Sequence, residues 1–370
     1  MLLRYFHKIS ITRKVVDCWI LKPTHVRHLT TINSQRMNKP KVLVTRGDIP
    51  KAAISILEEK CEVELMPDHS PISRIDLLNK ISGKDGVFCL LTDKIDYEVL
   101  EKAGPQLKVI GTMSVGYDHL DMTEIKKRNI SVGYTPNVLT ASTAELTVAL
   151  TLATTRRLFE AHDEIINGGW AKCAWGPLWM CGGGLVGAKV GIVGLGSIGL
   201  AVAKRLLPFE IAKIMYCGRH EKPEAAQVSG EYVTFDRLLS ESDVVIITCP
   251  LNDTTRNMFG PAQFASMKPN AVLINTSRGG VVDQSALVHA LKTKQITAAG
   301  LDVMTPEPLP VDHELTQLKN CGSQSFVVDP THWKRDATNE NYYGNDDCAK
   351  HCQCIGRKAH AGPVMLILEE

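Results

Sequence analysis

The chain has 370 residues, of which 44% are hydrophobic and 22% charged, and its formal net charge is +2. A chain of this length can bury a large core, and at about 150 residues per domain it is expected to form two domains. The small net charge and the lack of a basic stripe argue against nucleic acid as a partner. No apolar run approaches the roughly 18 uninterrupted residues of a spanning helix, so the sequence predicts a soluble protein without a membrane partner.

The first 36 residues differ in composition from the rest. They contain seven Lys or Arg residues and a single acid, Asp17, with Ser and Thr scattered between them. This composition is typical of a mitochondrial transit peptide, and a disordered extension upstream of Met37 is the alternative. The eleven cysteines mostly occur singly, unlike those of a secreted disulfide scaffold. The sequence therefore favours a cytoplasmic or mitochondrial location.

Between residues 37 and 138, short apolar runs alternate with amphipathic stretches. The predicted strands are 41–45, 61–65, 87–91 and 109–110, and a helix is predicted at Ala52–Lys60. Apolar runs of this kind, separated by helical stretches, indicate parallel strands covered by helices on both faces. The segment is therefore expected to be an α/β domain.

A long apolar helix is predicted at Thr143–Arg157, followed by a loop rich in Trp and Gly at 168–184. A second α/β series then begins. Its predicted strands are 190–193, 214–216, 244–248, 271–274 and 299–303. Five strands with helical crossovers predict a doubly wound, nucleotide-binding sheet.

Three glycines follow the first strand of this second series. Gly194, Gly196 and Gly199 have the spacing of a dinucleotide-binding turn that opens the helix through Ala201–Leu207. In such a turn the first glycine permits the tight bend, the second admits the pyrophosphate and the third lets helix and strand pack closely. The position after a strand makes an incidental glycine turn the weaker interpretation.

The second strand of this series ends without an acid. A sheet that prefers NAD usually places Asp or Glu there, bonded to the ribose 2′-hydroxyl. Here Arg219 and His220 occupy the position, and a guanidinium suits the 2′-phosphate of NADP. The prediction is therefore NADPH, and the alternative is that Arg219 is a solvated cation, Glu221 binds the ribose and NADH is used.

Two charged residues lie at the ends of later strands. Arg278 follows the strand 271–274, where open α/β sheets bind ligands, and it suits a bidentate hold on a carboxylate or keto oxygen. Glu307 lies between Pro306 and Pro308, and a carboxylate held in this way can orient a histidine and raise its pKa. Taken singly, either residue would more often be a surface ion-pair residue.

Several motifs together resemble those of the D-2-hydroxyacid dehydrogenase family. The matching stretches are 194–199, 275–279, 301–308 and 111–116, and those that narrow the resemblance to the glyoxylate/hydroxypyruvate reductase branch are 107–119, 132–136 and 175–179. The similarity covers about residues 39–321. It implies a Rossmann cofactor domain at 139–321, inserted into a flavodoxin-like substrate domain at 37–138. It also implies a homodimer that reduces small 2-oxo acids to D-2-hydroxy acids.

The resemblance assigns roles to individual residues. The backbone amides of Val115 and Gly116 would hold the substrate carboxylate, Arg278 the carboxylate or keto oxygen, and Glu307 would pair with an acid–base histidine. His119 is interpreted as a structural histidine, and Trp175 is similar to family tryptophans that shape the substrate pocket near the dimer contact. The expected cofactor contacts are Gly194, Gly196, Ser197, Ile198, Gly199, Arg219, His220, Pro250, Thr276 and Asp302.

The sequence departs from the family after about residue 322. The family's proton donor lies in a Pro-His-Ile-Gly-Ser-Ala-Thr motif, which is expected a few residues after 318–321 and is absent. Read one nucleotide later, however, the degenerate codons of 330–338 admit this motif, and those of 356–362 admit an ending similar to the family's. We interpret residues 322–370 as an out-of-frame tail.

This interpretation bears on the cysteines and histidines of the tail. Out-of-frame composition explains the cluster of Cys348, His351, Cys352, Cys354 and His360 better than a metal site does, because the spacing fits no standard zinc pattern. His332 lies near the position of the lost histidine but lacks its flanking glycine and serine. The alternatives to an active reductase are an inactive NADP-binding isoform and a corepressor of the same fold, and the Trp-rich loop and Arg219 favour the reductase.

Overall fold

The structure is a computed structural model, and it describes residues 39–173 and 176–323. These residues form two sheets, of five and seven strands, in which every strand pairing is parallel. Helices connect most successive strands. The predicted fold class, two doubly wound parallel sheets, is confirmed.

The five-stranded sheet has the order β2-β1-β3-β4-β5. Its strands are β1 Lys41–Val44, β2 Glu62–Leu65, β3 Gly86–Cys89, β4 Val109–Thr112 and β5 Ser131–Gly133. Its helices are α1 Lys51–Lys60, α2 Arg74–Lys80, α3 Tyr97–Ala103 and α4 Met122–Lys127. This strand order is that of flavodoxin-like sheets, as the resemblance implied. The prediction missed β5 and the last three helices.

Local capping explains where those three helices begin. Ser73, Asp96 and Asp121 each accept a hydrogen bond from the backbone N–H three residues further along. Such a bond satisfies an amide that has no partner within the helix. Strands β3 and β4 are buried at every position, so their continuous apolar runs form the centre of this sheet's core.

Two helices separate the sheets in the sequence, α5 Thr140–Thr155 and α6 Leu158–Ile166. The predicted single helix at Thr143–Arg157 is therefore wrong at both ends. Helix α5 begins earlier, at Thr140, and it ends at Thr155, before Arg157 adopts a left-handed conformation. Helix α5 is rich in threonine yet largely buried. The hydroxyls of Thr147, Thr151 and Thr155 each donate to the carbonyl four residues earlier, so these polar groups are satisfied inside the core.

The seven-stranded sheet has the order β12-β11-β10-β9-β6-β7-β8. Its strands are β6 Lys189–Val193, β7 Lys213–Cys217, β8 Glu231–Tyr232, β9 Val244–Ile247, β10 Val272–Asn275, β11 Ala298–Leu301 and β12 Cys321–Ser323. Its helices are α7 Ser197–Leu206, α8 Phe235–Glu241, α9 Pro261–Ser266, α10 Gln284–Lys292 and α11 Glu314–Gln317. The prediction of five strands was short by two, since β8 and β12 are edge strands of only two and three residues.

The strand order reverses between β6 and β9. In a doubly wound sheet this reversal opens a crevice at the carboxyl ends of the strands, where ligands bind. The loops after β6, β7, β9, β10 and β11 all lie at that edge, because parallel strands share their direction. None of the described helices has the length and apolarity needed to cross a membrane.

Candidate active site

The turn between β6 and α7 contains the three spaced glycines. Gly194 has a φ of 99°, which favours glycine, and a Cβ there would lie 2.8 Å from the backbone nitrogen of Cys249. A Cβ at Gly199 would overlap the carbonyl oxygen of Gly194 and approach Thr248 Oγ1 to 2.8 Å. These two positions therefore require glycine for the turn and for close packing of helix against strand.

Gly196 differs from its two neighbours in the motif. A Cβ at Gly196 would meet no atom within 4 Å, and its φ of −86° is one that any residue adopts. The protein's own packing therefore gives no reason for a glycine here. Gly196 immediately precedes α7, with Ser197 and Ile198 in the first turn, where backbone amides lack partners within the helix. The open side of Gly196 and these amides form a cradle that suits an anion.

The end of β7 lies beside this turn, because the Gly194 amide donates to the carbonyl oxygen of Cys217 at 3.0 Å. Arg219 and His220 follow and are exposed. Within residues 39–173 and 176–323, the Arg219 guanidinium has no ion pair with any carboxylate. An uncompensated guanidinium therefore stands beside the glycine turn.

The turn after β4 contains Val115 and Gly116. Both residues are partly buried, and in the described part of the chain neither amide N–H donates a hydrogen bond. The Ser114 hydroxyl shapes the turn by donating to the carbonyl oxygen of Gly116 at 2.7 Å. A Cβ at Gly116 would overlap the Nη2 atom of Arg278, so only a glycine allows this arginine to approach.

Arg278 follows β10 in the other sheet and reaches the turn after β4. Its Nε donates to Asp118 Oδ1 at 3.0 Å, and its Nη1 donates to the carbonyl oxygen of Ser277 at 2.8 Å. Asn275 holds the loop itself, since its side chain bonds the backbone of both Ser277 and Arg278. The guanidinium and the Val115–Gly116 amides thus meet at one place, formed by both sheets.

His119 lies beside this place. Its Nε2 is 2.9 Å from Thr112 Oγ1, whereas its buried Nδ1 has no hydrogen-bond partner among the described residues. Burial lowers the pKa of His119, and the nearby Arg278 lowers it further, while Asp118 and Asp93 act in the opposite direction. His119 is therefore held towards its neutral form.

Glu307 is exposed, and its carboxylate accepts a hydrogen bond from the Met304 amide at 2.8 Å. Among the described residues no histidine is bonded to it. His313, a nearby histidine in the sequence, has its Nε2 3.0 Å from the side-chain amide of Gln284.

The other predicted cofactor residues lie at the ends of neighbouring strands. Thr276 follows β10, but its buried hydroxyl is 2.8 Å from that of Thr147 on α5 and so belongs to the packing. The Asp302 amide donates to the carbonyl oxygen of Asn275, and Pro250 is exposed after β9. The structure therefore brings these backbones to one edge of the sheet.

Comparisons with known proteins identify the family of this chain. Residues 148–327 match the D-isomer specific 2-hydroxyacid dehydrogenase, NAD binding domain. A mouse glyoxylate reductase/hydroxypyruvate reductase is 50% identical over 76% of this chain and 86% of its own length, and the human one is 47% identical over 80% and 90%. The chain belongs to the D-isomer specific 2-hydroxyacid dehydrogenase family. It is therefore an NAD(P)-dependent oxidoreductase of the glyoxylate/hydroxypyruvate reductase branch.

A solved structure of the same dehydrogenase family extends the comparison. It is an NADPH-dependent glyoxylate/hydroxypyruvate reductase from Sinorhizobium meliloti in complex with NADP and malonate. It is 26% identical, with a TM-score of 0.67 over 86% of this chain and 92% of its own. The likeness therefore spans both sheets of this dehydrogenase.

Some predicted features of the dehydrogenase lie outside the described residues. They are the 1–36 extension, Trp175, His332, the Cys348–His360 cluster and all but the first residues of the 322–370 tail.

Sequence reasoning missed Asp118, which holds Arg278, and Thr147, which holds Thr276. Asp118 had one available signal, because it is an acid two residues after an expected anion-binding turn.

Proposed function

We propose that this dehydrogenase reduces a small 2-oxo acid, glyoxylate or hydroxypyruvate, to the D-2-hydroxy acid with NADPH. The observation that carries the proposal is the contact of the Arg278 guanidinium with Gly116. It places a cation beside the Val115 and Gly116 amides, which donate no hydrogen bond within residues 39–173 and 176–323. Reduction of a 2-oxo acid is also the activity named for the mouse and human relatives.

The residues present fit a nicotinamide dinucleotide. The cradle at Gly196 is open on the side that a Cβ would fill, and the amides of Ser197 and Ile198 begin α7 there. We assign the pyrophosphate to this cradle, with Gly194 and Gly199 forming the turn. When bound, the cofactor supplies the hydride that reduces C2 of the substrate. Pro250, Asp302 and the backbone of Thr276 would contribute contacts along the same edge.

The choice of NADPH over NADH depends on the end of β7. Arg219 has no carboxylate partner within the described residues, and the strand ends in Cys217 rather than in an acid. A guanidinium beside the 2′-phosphate gives a charge-assisted contact, whereas an acid at this position would repel it. We place His220 at the same phosphate. The S. meliloti relative was solved with NADP.

The carboxylate of the substrate would lie between the amides of Val115 and Gly116 and the Nη2 edge of Arg278. All three groups are hydrogen-bond donors, and the positive charge of Arg278 attracts the negatively charged carboxylate. Holding the substrate in this way fixes C2 relative to the cofactor cradle in the other sheet. Orientation of this kind supplies a large part of the rate acceleration in hydride transfer.

We propose that this chain lacks the histidine that would protonate the forming alkoxide. Glu307 contacts a backbone amide instead of a histidine among the described residues, and the family's histidine motif is absent from the sequence. Loss of a general acid costs about 10²–10⁴ in rate. We therefore propose that the chain as written binds NADPH but turns over slowly. If turnover is lost altogether, the chain is an inactive NADP-binding isoform.

We further propose the domain division 37–138 and 139–321, and a homodimer. Helix α6 has no buried residue, and several large apolar side chains on it and after it are exposed: Leu158, Ile165, Ile166, Trp170 and Leu178. A cluster of exposed apolar side chains marks an interaction surface. A second copy of the chain is the partner that we assign to it.

The function is tested by comparing three proteins side by side. They are the chain as written, a version with the reading frame restored after residue 321, and the restored version with its motif histidine replaced by Gln. We expect similar NADPH affinities, with rapid reduction of glyoxylate or hydroxypyruvate by the restored version only. The Gln version separates the lost acid from the lost terminal segment. Equal turnover by all three would contradict the proposed role of the histidine, and failure of all three to bind NADPH would contradict the function.

The NADPH preference is tested with Arg219→Ala. A charge-assisted contact is worth about 1.5–3 kcal/mol, so the NADPH dissociation constant should rise roughly 10-fold to 150-fold while that for NADH stays nearly constant. Lys204→Ala is the matched control, because it removes an exposed cation from the far end of α7. An unchanged NADPH/NADH ratio in the Arg219 variant would contradict the assignment.

A further inference from the structure

Asp118 joins the two sheets at the site. It lies two residues after Gly116 on the turn that follows β4, and its carboxylate accepts the Nε–H of Arg278, which is 160 residues away in the sequence. The two side chains are 25% and 32% exposed, so the pair is only partly shielded from water. A stabilising role alone would therefore be weak, since partly exposed ion pairs contribute about 0–1 kcal/mol.

The three nitrogens of the Arg278 guanidinium have different surroundings. Nε is bonded to Asp118 and Nη1 to the carbonyl oxygen of Ser277, which fixes the plane and the rotation of the group. Nη2 lies against Gly116, in the turn after β4. Among the residues that the structure describes, the Val115 and Gly116 N–H groups of this turn donate no hydrogen bond. The two fixed nitrogens thus leave the third directed at the turn.

We propose that Asp118 is the positioning residue for Arg278, and that it sets the guanidinium so that Nη2 and the two amides converge on the carboxylate of a 2-oxo acid. The proposal rests on the proposed function for the identity of the ligand. An arginine side chain has several rotatable bonds, and ordering them on binding reduces the affinity for a ligand. A guanidinium held in advance avoids most of that cost.

Asp118 also carries a negative charge near the expected position of an anion. Acting only as a charge, it would compete with the substrate for Arg278 and weaken binding. Acting as a hydrogen-bond acceptor, it strengthens binding through orientation. The variants Asp118→Asn and Asp118→Ala separate these effects, because asparagine keeps an acceptor oxygen without the charge and alanine removes both.

The first measurement is the affinity of the NADPH-loaded protein for oxamate, a monoanionic analogue of 2-oxo acids, by isothermal titration calorimetry. We expect Asp118→Ala to weaken oxamate binding at least tenfold and Asp118→Asn to stay within threefold of the parent. NADPH affinity should be unchanged within twofold in both. Asp312→Ala removes an exposed acid elsewhere and serves as the control. Tighter binding by both Asp118 variants, or unchanged binding by the alanine variant, would overturn the proposal.

A second measurement does not depend on the substrate. Phenylglyoxal labels accessible guanidinium groups, and mass spectrometry of the Arg278 peptide reports its labelling rate. We expect a severalfold faster rate in Asp118→Ala than in the parent and Asp118→Asn. Equal rates in all three would overturn the positioning role, whatever the substrate is. Faster labelling in Asp118→Ala, with no oxamate binding by the parent, would support the positioning role and count against the proposed function.

Discussion

The substitutions Gly196→Ala and Gly199→Ala make the same chemical change three residues apart, and the structure predicts that the first weakens NADPH binding and the second lowers stability. A Cβ at Gly196 has no neighbour within 4 Å. A Cβ at Gly199 would lie 2.8 Å from Thr248 Oγ1 and 3.3 Å from Ile192 Cγ2, and it would overlap the Gly194 carbonyl oxygen. That oxygen cannot move freely, because it accepts the Thr248 hydroxyl at 2.7 Å.

The expected magnitudes follow from these contacts. At Gly199, overpacking costs about 1–3 kcal/mol, and the rigid backbone neighbour places it at the upper end, against about 1 kcal/mol gained in helix propensity. The net loss of about 2 kcal/mol corresponds to a melting temperature lower by about 4–8 °C. At Gly196, alanine is a weaker N-cap residue than glycine, which lowers the stability of the folded protein. Alanine also reduces the conformational entropy of the unfolded chain, which raises that stability. The two effects cancel to within about 0.5 kcal/mol. NADPH binding to that variant should nevertheless weaken about tenfold or more, because the Cβ stands in the cradle.

Thermal unfolding without cofactor and titration of NADPH fluorescence measure the two quantities separately. The expected pattern is a stable Gly196 variant that binds poorly and a less stable Gly199 variant. A Gly196 variant with the parent's NADPH affinity would refute the assignment of the cradle. A Gly199 variant that melts with the parent would refute the packing argument.

Three further outcomes are expected. Because burial holds the pKa of His119 below its ordinary value, the unfolded chain binds a proton that the folded chain does not as the pH falls below about 6.5. The free energy of unfolding in urea should therefore decrease between pH 7 and 5, and it should decrease less in His119→Gln; equal slopes would contradict this. Burial raises the pKa of the Cys217 thiol to about 12 and that of Cys249 to about 11, so peptide mapping at pH 8 should find iodoacetamide on exposed Cys181 well before either. If a second copy covers α6, Ile166→Asp should convert a dimer to a monomer in analytical ultracentrifugation, and a dimer that survives would rule out this face.

Local patterns were sufficient for most of the sheet strands and for the glycine turn. The buried strands β3, β6 and β9 are continuous apolar runs, and runs of this kind form the buried centre of parallel sheets. The glycine spacing similarly encodes a backbone shape, since a positive φ at Gly194 and close packing at Gly199 are properties of a few adjacent residues. Edge strands such as β8 lack this signal because two residues carry no period.

The contacts that join distant residues were decided by the tertiary structure alone. Asp118 and Arg278 are separated by 160 residues and Thr147 and Thr276 by 129, and neither pair leaves a periodic trace in the sequence. The physical reason is that a side chain's partner depends on which loops the strand order brings to one edge. That order is set by the packing of whole helices and strands. The sequence could therefore name Arg278 as an anion-binding residue, but only the fold placed it against Gly116 and beside Asp118.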